Sequence, residues 1–333
     1  MIGIPEHLVP TKQRRTLDEL VDRLDLGSGE RLSKQSAFWV MLTLSAVIAV
    51  AGVIGDSTAT VIGAMIVAPL STPILGIGLG IVTGRGRLVL TSIAYVLAGV
   101  VLVTVLGVLF AQLLPDPTNV LTNSQVQGRT SPRLVDLLAA LATGLVGAVA
   151  VTRRDVGDVL PGVAIAISLV PPLGVVGVCL GSGAPSLALG AFVLFASNVV
   201  AMVITSVVVF TIAGVAHPAQ ATAESAARPR RARAYVVLLI ALVVVAVPMV
   251  VNSLTSLWAQ QVADATRRWL DDAHVPSAVV TSASWSGDTV TVHVLAPGDL
   301  PPVAALQKTV DGLVPWNPQV IVEHTSGSRE TAN

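Results

Sequence analysis

Residues 55–80 read GDSTATVIGAMIVAPLSTPILGIGLG, an apolar stretch long enough to cross a bilayer but interrupted at its centre by Pro69 and Pro73. Proline removes a backbone donor and clashes with the carbonyl one turn back, so a break inside hydrocarbon calls for a structural reason. Further along, residues 157–183 read GDVLPGVAIAISLVPPLGVVGVCLGSG and carry a similar interruption at Pro171 and Pro172. A shift of 98 positions lays Pro73 on Pro171, Gly76 on Gly174, Ala68 on Ala166 and Val61 on Val159. Each stretch is the middle one of three apolar segments. In membrane proteins, paired broken helices of this kind sit at a cavity or binding site where two structural repeats meet.

The composition around these stretches agrees. Hydrophobic residues make up 53% of the chain and charged residues 12%, against roughly a quarter charged in an ordinary soluble domain. Apolar runs of about 18 residues or more recur, each long enough for a hydrocarbon core about 30 Å thick. The formal net charge is zero, so the total says nothing about nucleic-acid or acidic partners; the partner expected is the lipid bilayer, with no nucleic acid. The lone cysteine, Cys179, excludes an intrachain disulfide and a cysteine-based metal cluster. Inside an apolar run it reads as a small buried hydrophobe.

Seven spans are predicted, at 37–55, 59–83, 88–114, 134–152, 159–181, 186–214 and 234–254. Residues 1–36 are polar and carry no cleavable leader pattern, so they read as a short cytoplasmic segment before a retained first span. The core at 37–214 divides into repeat one, 37–114, and repeat two, 134–214; a basic linker, 215–233, precedes the seventh span. Arg31, Lys34, Arg85, Arg87, Arg153, Arg154 and the arginines from Arg228 to Arg233 all fall on one side of such an arrangement. Basic short loops face the cytoplasm, which puts the N-terminus inside and the C-terminal segment outside. Three spans per repeat is an odd number, so the second repeat enters the membrane inverted. The fold expected is an all-α membrane core with a 3+3 inverted repeat and two Pro-broken helices.

Residues 256–325 change character, and 326–333 read as a disordered tail. Trp258 to Ala273 shows helical spacing at Val262, Ala265, Trp269 and Leu270. Two strand patterns, 278–285 and 288–296, meet at Ser286-Gly287, followed by a helix at 303–313 and a strand at 319–324. The expectation is a small α+β domain in the order α-β-β-α-β, an order that resembles the BON-type modules of bacterial envelopes.

The candidate pathway residues are polar or conformationally special. Two readings fit Asp56, which follows Gly55 and precedes Ser57 and Thr58: a helix cap, or a carboxylate at the mouth of a pathway. At the first break, Pro73 removes a bond to the carbonyl of Pro69 and Pro69 one to that of Met65, while Ser71 and Thr72 offer hydroxyls. At the second, Pro171 and Pro172 do the same for the carbonyls of Ile167 and Ser168. Freed carbonyls ligate cations, whereas the amides opening a half-helix attract anions. Ser197 and Asn198, near the middle of the sixth span, read either as helix glue or as groups that satisfy a freed carbonyl or touch a solute. The dense glycines after each break read as close helix packing. His7, His217, His274, His293 and His324 lack metal-ligand spacing, and no zinc-protease, P-loop or nucleophile-elbow motif is present. No enzyme, metal or cofactor is therefore expected.

The run Asp56-Ser57-Thr58-Ala59, Val61-Ile62-Gly63-Ala64-Met65, Ala68-Pro69-Leu70 and Pro73-Ile74-Leu75-Gly76 resembles a bacterial family of uncharacterised hydrophobic membrane proteins, domain of unknown function 389. Pro171-Pro172-Leu173-Gly174 is similar to the second half of that pattern. The resemblance spans about residues 35 to 215 and implies a multi-span protein of the bacterial inner membrane, with no activity attached. The reading that follows is a transporter or channel for a small solute or ion, embedded in the lipid bilayer and compatible with a homo-oligomer. The alternative is a membrane scaffold or envelope-stress sensor acting through its extracytoplasmic C-terminal domain.

Overall fold

The structure, a computed structural model, describes residues 9–113, 120–156, 169–215, 224–275 and 278–327. It is mostly helical with a small C-terminal sheet, as predicted, and divides into two compact units, Met1–Met249 and Val250–Asn333.

The first unit begins with a short helix that the sequence reading left as a polar segment. Helix α1 (Leu17–Leu24) is opened by a capping box. The Glu19 amide donates to Thr16 Oγ1 at 3.3 Å and the Thr16 amide to Glu19 Oε2 at 2.9 Å. The box satisfies two of the amides every helix start leaves free. Leu20 and Leu24, four apart on one face, are buried. Helix α2 (Arg31–Ile54) follows. The second apolar stretch then divides into α3 (Thr58–Val67) and α4 (Ser71–Thr83), bent by 47° across residues 68–70. Gly84, at φ 71°, ends α4 in the left-handed conformation that favours glycine. Helix α5 (Gly86–Leu113), the short α6 (Ser124–Thr130), α7 (Leu134–Thr152), α8 (Val170–Gly181) and α9 (Pro185–Ile212) complete the core, and α10 (Glu224–Asp272) begins in this unit.

Five helices among the described residues are long and apolar enough to cross a membrane, or six if α3 and α4 form one bent span. This differs from the predicted seven. The first half of the fifth predicted span, through Ser168, lies outside the described residues, and α8 alone has only 12 residues. The outer helices suit hydrocarbon: Leu90, Leu97 and Val101 on α5 and Leu239, Ile240, Val243 and Val244 on α10 are all exposed. So much contiguous apolar surface marks a membrane protein.

The two short helices are the opposite case. Every residue from Pro73 to Val82 in α4 and from Val170 to Cys179 in α8 is buried. Each packs on both α5 and α9, while α2 packs on α5 and α7 on α9. Glycines permit the closest approaches. A Cβ on Gly177 would stand 2.4 Å from the Thr104 carbonyl oxygen and 2.7 Å from Gly107 Cα, and one on Gly78 would stand 1.9 Å from Ser206 Oγ. These contacts agree with the packing reading of the glycines. Helix ends recur at a fixed interval: Ile54 and Thr152 lie 98 residues apart, as do Thr83 and Gly181, while Leu113 and Ile212 lie 99 apart.

In α10 the sequence expectation of a span ending at 254, then a separate helix, gives way to one helix through Asp272. Asn252, Ser253, Thr255 and Ser256 interrupt the hydropathy, but no glycine or proline interrupts the backbone between Pro248 and Pro276. The Thr255 hydroxyl instead donates to the Asn252 carbonyl at 3.0 Å, inside the helix.

The second unit packs the end of α10 on a three-stranded sheet of order β1-β2-β3: β1 (Val279–Ser286), β2 (Thr289–Ala296) and β3 (Gln319–Ser326). β1 and β2 form an antiparallel hairpin turning at Gly287, φ 59°. β2 and β3 are parallel, which requires a crossover, supplied by α11 (Val303–Asp311). Alternate residues Val290, Val292, Val294 and Ala296 face the core with Val262, Ala265, Leu306 and Val310. Trp258 meets Trp316 edge-on at 4.5 Å, and Trp285 Nε1 donates to the Thr255 carbonyl at 3.1 Å.

Candidate functional site

Polar chemistry collects at both ends of α3, about 15 Å apart at 1.5 Å per residue. At its start, Ser57 is the cap: its Oγ accepts from the Thr60 amide at 3.3 Å. Asp56 caps a different helix. Held at φ 48°, it accepts from the Ser124 hydroxyl at 2.6 Å and from the Gln125 amide at 3.1 Å, both in the first turn of α6. The Gln125 amide group donates to Thr58 Oγ1 at 2.8 Å, and Asn123 donates to the Val53 carbonyl at 2.7 Å while accepting from the Val126 amide. The Ser124 hydroxyl, followed by the backbone amides, holds the Asp56 carboxyl below the ordinary carboxylate value. A depressed carboxylate contributes stability above its unfolded pKa and loses it as pH falls through the folded pKa. Acidification below about pH 4 is therefore expected to release residues 123–130, measured as faster amide exchange. Asp56→Ala is expected to produce the same release at neutral pH. Unchanged protection in that variant would remove Asp56 from the network.

At the other end of α3 the break itself is largely mended. The Thr72 amide donates to the Pro69 carbonyl at 3.2 Å, so this carbonyl, expected to be free, is partnered. The buried Ser45 hydroxyl of α2 donates to the Ala64 carbonyl at 2.8 Å, one of the last four of α3. Leu70 is buried between α2 and α5, its Cδ2 filling the space a Cβ on Gly99 would need.

Pro69 and Thr72 open onto a cleft of about 550 Å³. Its apolar lining includes Leu26, Phe38 and Met41, and its polar lining is Arg15, Glu19, Asp22, Arg23 and Lys34. Both acids are engaged. Asp22 Oδ1 pairs with Lys34 Nζ at 2.6 Å, and Glu19 takes the Arg154 guanidinium on both oxygens at 2.9 Å. Arg154, and then the Thr16 amide, hold Glu19 below its ordinary value. Desolvation, with the neighbouring Arg15, lowers Arg23 from the usual guanidinium value. Among the described residues neither Arg15 nor Arg23 pairs with a carboxylate, and Arg15 Nε is sealed from solvent without a hydrogen-bond partner.

One wall of the cleft is held in place by the N-terminal segment's grip on the core. The Arg15 amide donates to the Thr152 carbonyl at 2.9 Å and the Arg154 amide to the Gln13 carbonyl at 2.8 Å, an antiparallel bridge between Arg14 and Arg153. Val9, Leu20, Leu24 and Leu26 are buried with α4 and α9 in one core.

Residues 65–204 match the family described as Domain of unknown function (DUF389). The resemblance read from the sequence stands. An uncharacterized protein of the archaeon Methanocaldococcus jannaschii is 33% identical over 184 residues, covering 55% of this chain and 56% of the relative. The chain thus spans about half the length of this curated relative. No solved structure matches.

The DUF389 segment contains the break, α8 and most of α9, whereas the charged lining of the cleft and the cluster at Asp56, Ser57 and Thr58 precede it. The structure does not gather the sequence candidates into one lining. Of those among the described residues, only Pro69 and Thr72 face the cleft; Ser71 is half-buried and Pro73 buried at the start of α4. Met65 lies in an apolar cluster with Val175, Val176 and Cys179. Pro171 and Pro172 occupy the first turn of α8, where a missing amide is no loss, rather than a helix interior. Ser197 is buried with its hydroxyl on the Leu194 carbonyl at 2.8 Å, and Asn198 is buried beside it on α9. Ser168 lies outside the described residues. Arg15, Glu19, Asp22 and Arg23 went unread, although Thr16-x-x-Glu19 and the leucine spacing carry the signal of a capped amphipathic helix.

Proposed function

We propose that this is an integral membrane protein that passes a small solute or ion, with the break at 68–70 as the working element of its pathway. The observation that carries the reading is the junction of a broken apolar helix with a charged cleft: Pro69 and Thr72, half-buried at the break, share one cavity with Arg15, Asp22 and Lys34. Irregular backbone at membrane depth is tolerated where it is buried in protein or lines a water-filled cavity, and transporters place binding sites there. The reciprocal packing of α4 and α8 on α5 and α9, with helix ends 98 or 99 residues apart, supports two repeats of three segments. Basic residues at 14–34, 85–87 and 153–154 support an orientation with this cleft on the cytoplasmic side. The reading includes no enzymatic step and no cofactor; its partners are the bilayer, the solute and further copies of the chain.

The scaffold reading draws on a different observation, the contact of Gly177 with Gly107 and of Gly78 with Ser206, which leaves no room between those helices. Cysteine accessibility separates the two. In a Cys179→Ala background, single cysteines replace Pro69, Thr72, Ser197 and Asn198, and a membrane-impermeant thiol reagent is applied from each side. The transport reading expects positions 69 and 72 to label from the cleft side, and 197 or 198 to label from the opposite side in some condition. Silence at 197 and 198 under every condition, in folded protein, would leave the core sealed and favour the scaffold.

A further inference from the structure

Two guanidiniums that pair with no carboxylate among the described residues stand at the cleft in a segment that precedes the DUF389 match. The two acids that line the cleft are spent: Asp22 on Lys34 and Glu19 on Arg154. Arg23 is exposed on α1 and Arg15 half-buried beside it, and partial desolvation together with the neighbouring Arg15 charge lowers Arg23 from the usual guanidinium value. Thr72 adds a hydroxyl to the same cleft in the first turn of α4, whose cap residue Leu70 makes no side-chain cap bond. The Thr72 and Ile74 amides are engaged on the Pro69 and Leu70 carbonyls and Pro73 has no amide, so the hydroxyl is the donor that the start of α4 brings to the cleft.

We propose that Arg15 and Arg23, with the Thr72 hydroxyl, form a binding site for a phosphate group at the α3–α4 break. Guanidinium forks match phosphate oxygens in pairs, and a group carrying one or two negative charges neutralises what the acids of the cleft leave over. The phosphate could belong to an anionic lipid headgroup or to a free solute; the chemistry of the site is the same for both. The site stands on the cleft alone and holds whether or not the core conducts.

The test uses the full chain in two arms. In zwitterionic detergent, thermal unfolding is followed with inorganic phosphate against chloride at matched ionic strength. In nanodiscs, phosphatidylcholine alone is compared with phosphatidylcholine containing phosphatidic acid. A rise in Tm with free phosphate identifies a solute site, a rise only with the acidic lipid a headgroup site, and either result supports the proposal. Arg15→Gln/Arg23→Gln is expected to keep or raise the wild-type Tm in chloride, since it removes the repulsion between the two charges, and to weaken binding by roughly tenfold or more. Arg23→Gln alone serves where the double variant does not fold. Arg85→Gln/Arg87→Gln, outside the cleft, is expected to keep the response. No rise in either arm overturns the site. So does an equal loss in the Arg85/Arg87 variant, which would make the effect general surface charge.

Discussion

Gly177→Ala is expected to destabilise the folded protein by about 1–3 kcal/mol, the range for added volume in a tight core. Gly174→Ala, one turn away on the same helix, is expected to be neutral or stabilising. On helix propensity alone both substitutions gain, since alanine is favoured over glycine by about 1 kcal/mol. What separates them is the neighbour. A Cβ at 177 would meet the Thr104 carbonyl oxygen at 2.4 Å and Gly107 Cα at 2.7 Å, both backbone atoms that cannot rotate aside. At 174 the nearest atom is Val50 Cγ2 at 3.5 Å, an ordinary contact. Gly107→Ala should reproduce the loss from the α5 side, since its Cβ would meet Gly177 Cα at 2.7 Å. Chemical or thermal unfolding in one detergent decides the matter. Equal stability of the 174 and 177 variants would mean that α5 and α8 lie further apart than described.

Leu20→Ala/Leu24→Ala is expected to free the N-terminal segment. Truncating a buried leucine costs about 2–5 kcal/mol when the site cannot collapse, and these two are 0% and 2% exposed. Helix α1 has only eight residues, too few to hold its shape alone, so its order comes from docking. The whole segment can therefore leave, which limits the loss to its own docking energy and spares the spans. Trypsin is the probe: Arg15 and Arg23 should be cut much faster in the variant, while the remaining core keeps its melting behaviour. Protection equal to wild type would show that the Arg14–Arg153 bridge and the Glu19–Arg154 pair suffice to hold the segment.

What the sequence revealed and what it hid follow a physical division. Pro69 and Pro73 announce the break because proline acts on its own backbone within one turn, and the helix is indeed interrupted there. Val290, Val292 and Val294 announce a strand by alternation alone. Pro171 and Pro172 mark an element boundary for the same local reason, but whether they break a helix or begin one depends on the residues before them. Asp56 illustrates the limit. Its role as a cap is legible in its chemistry, but the helix it caps starts at Ser124, 68 residues away, and no local pattern names that partner. The cleft was hidden similarly. Arg15 and Arg23 look like solvated charges until α1 folds back on α4 and the end of α7 takes the Arg15 amide. The continuous α10 was misread because hydropathy falls at Asn252 while helix-forming capacity does not.

The bridge between residues 13–15 and 152–154 also sets a timetable. Glu19 and Arg154 are 135 residues apart in the chain, so at about 5–20 residues per second of synthesis the acid waits on the order of ten seconds for its partner. During that interval α2 to α5 are already made, and Glu19 is without Arg154. Completion of the cleft is therefore a late event in synthesis: it requires that α7 has been made and seated against the segment that preceded it.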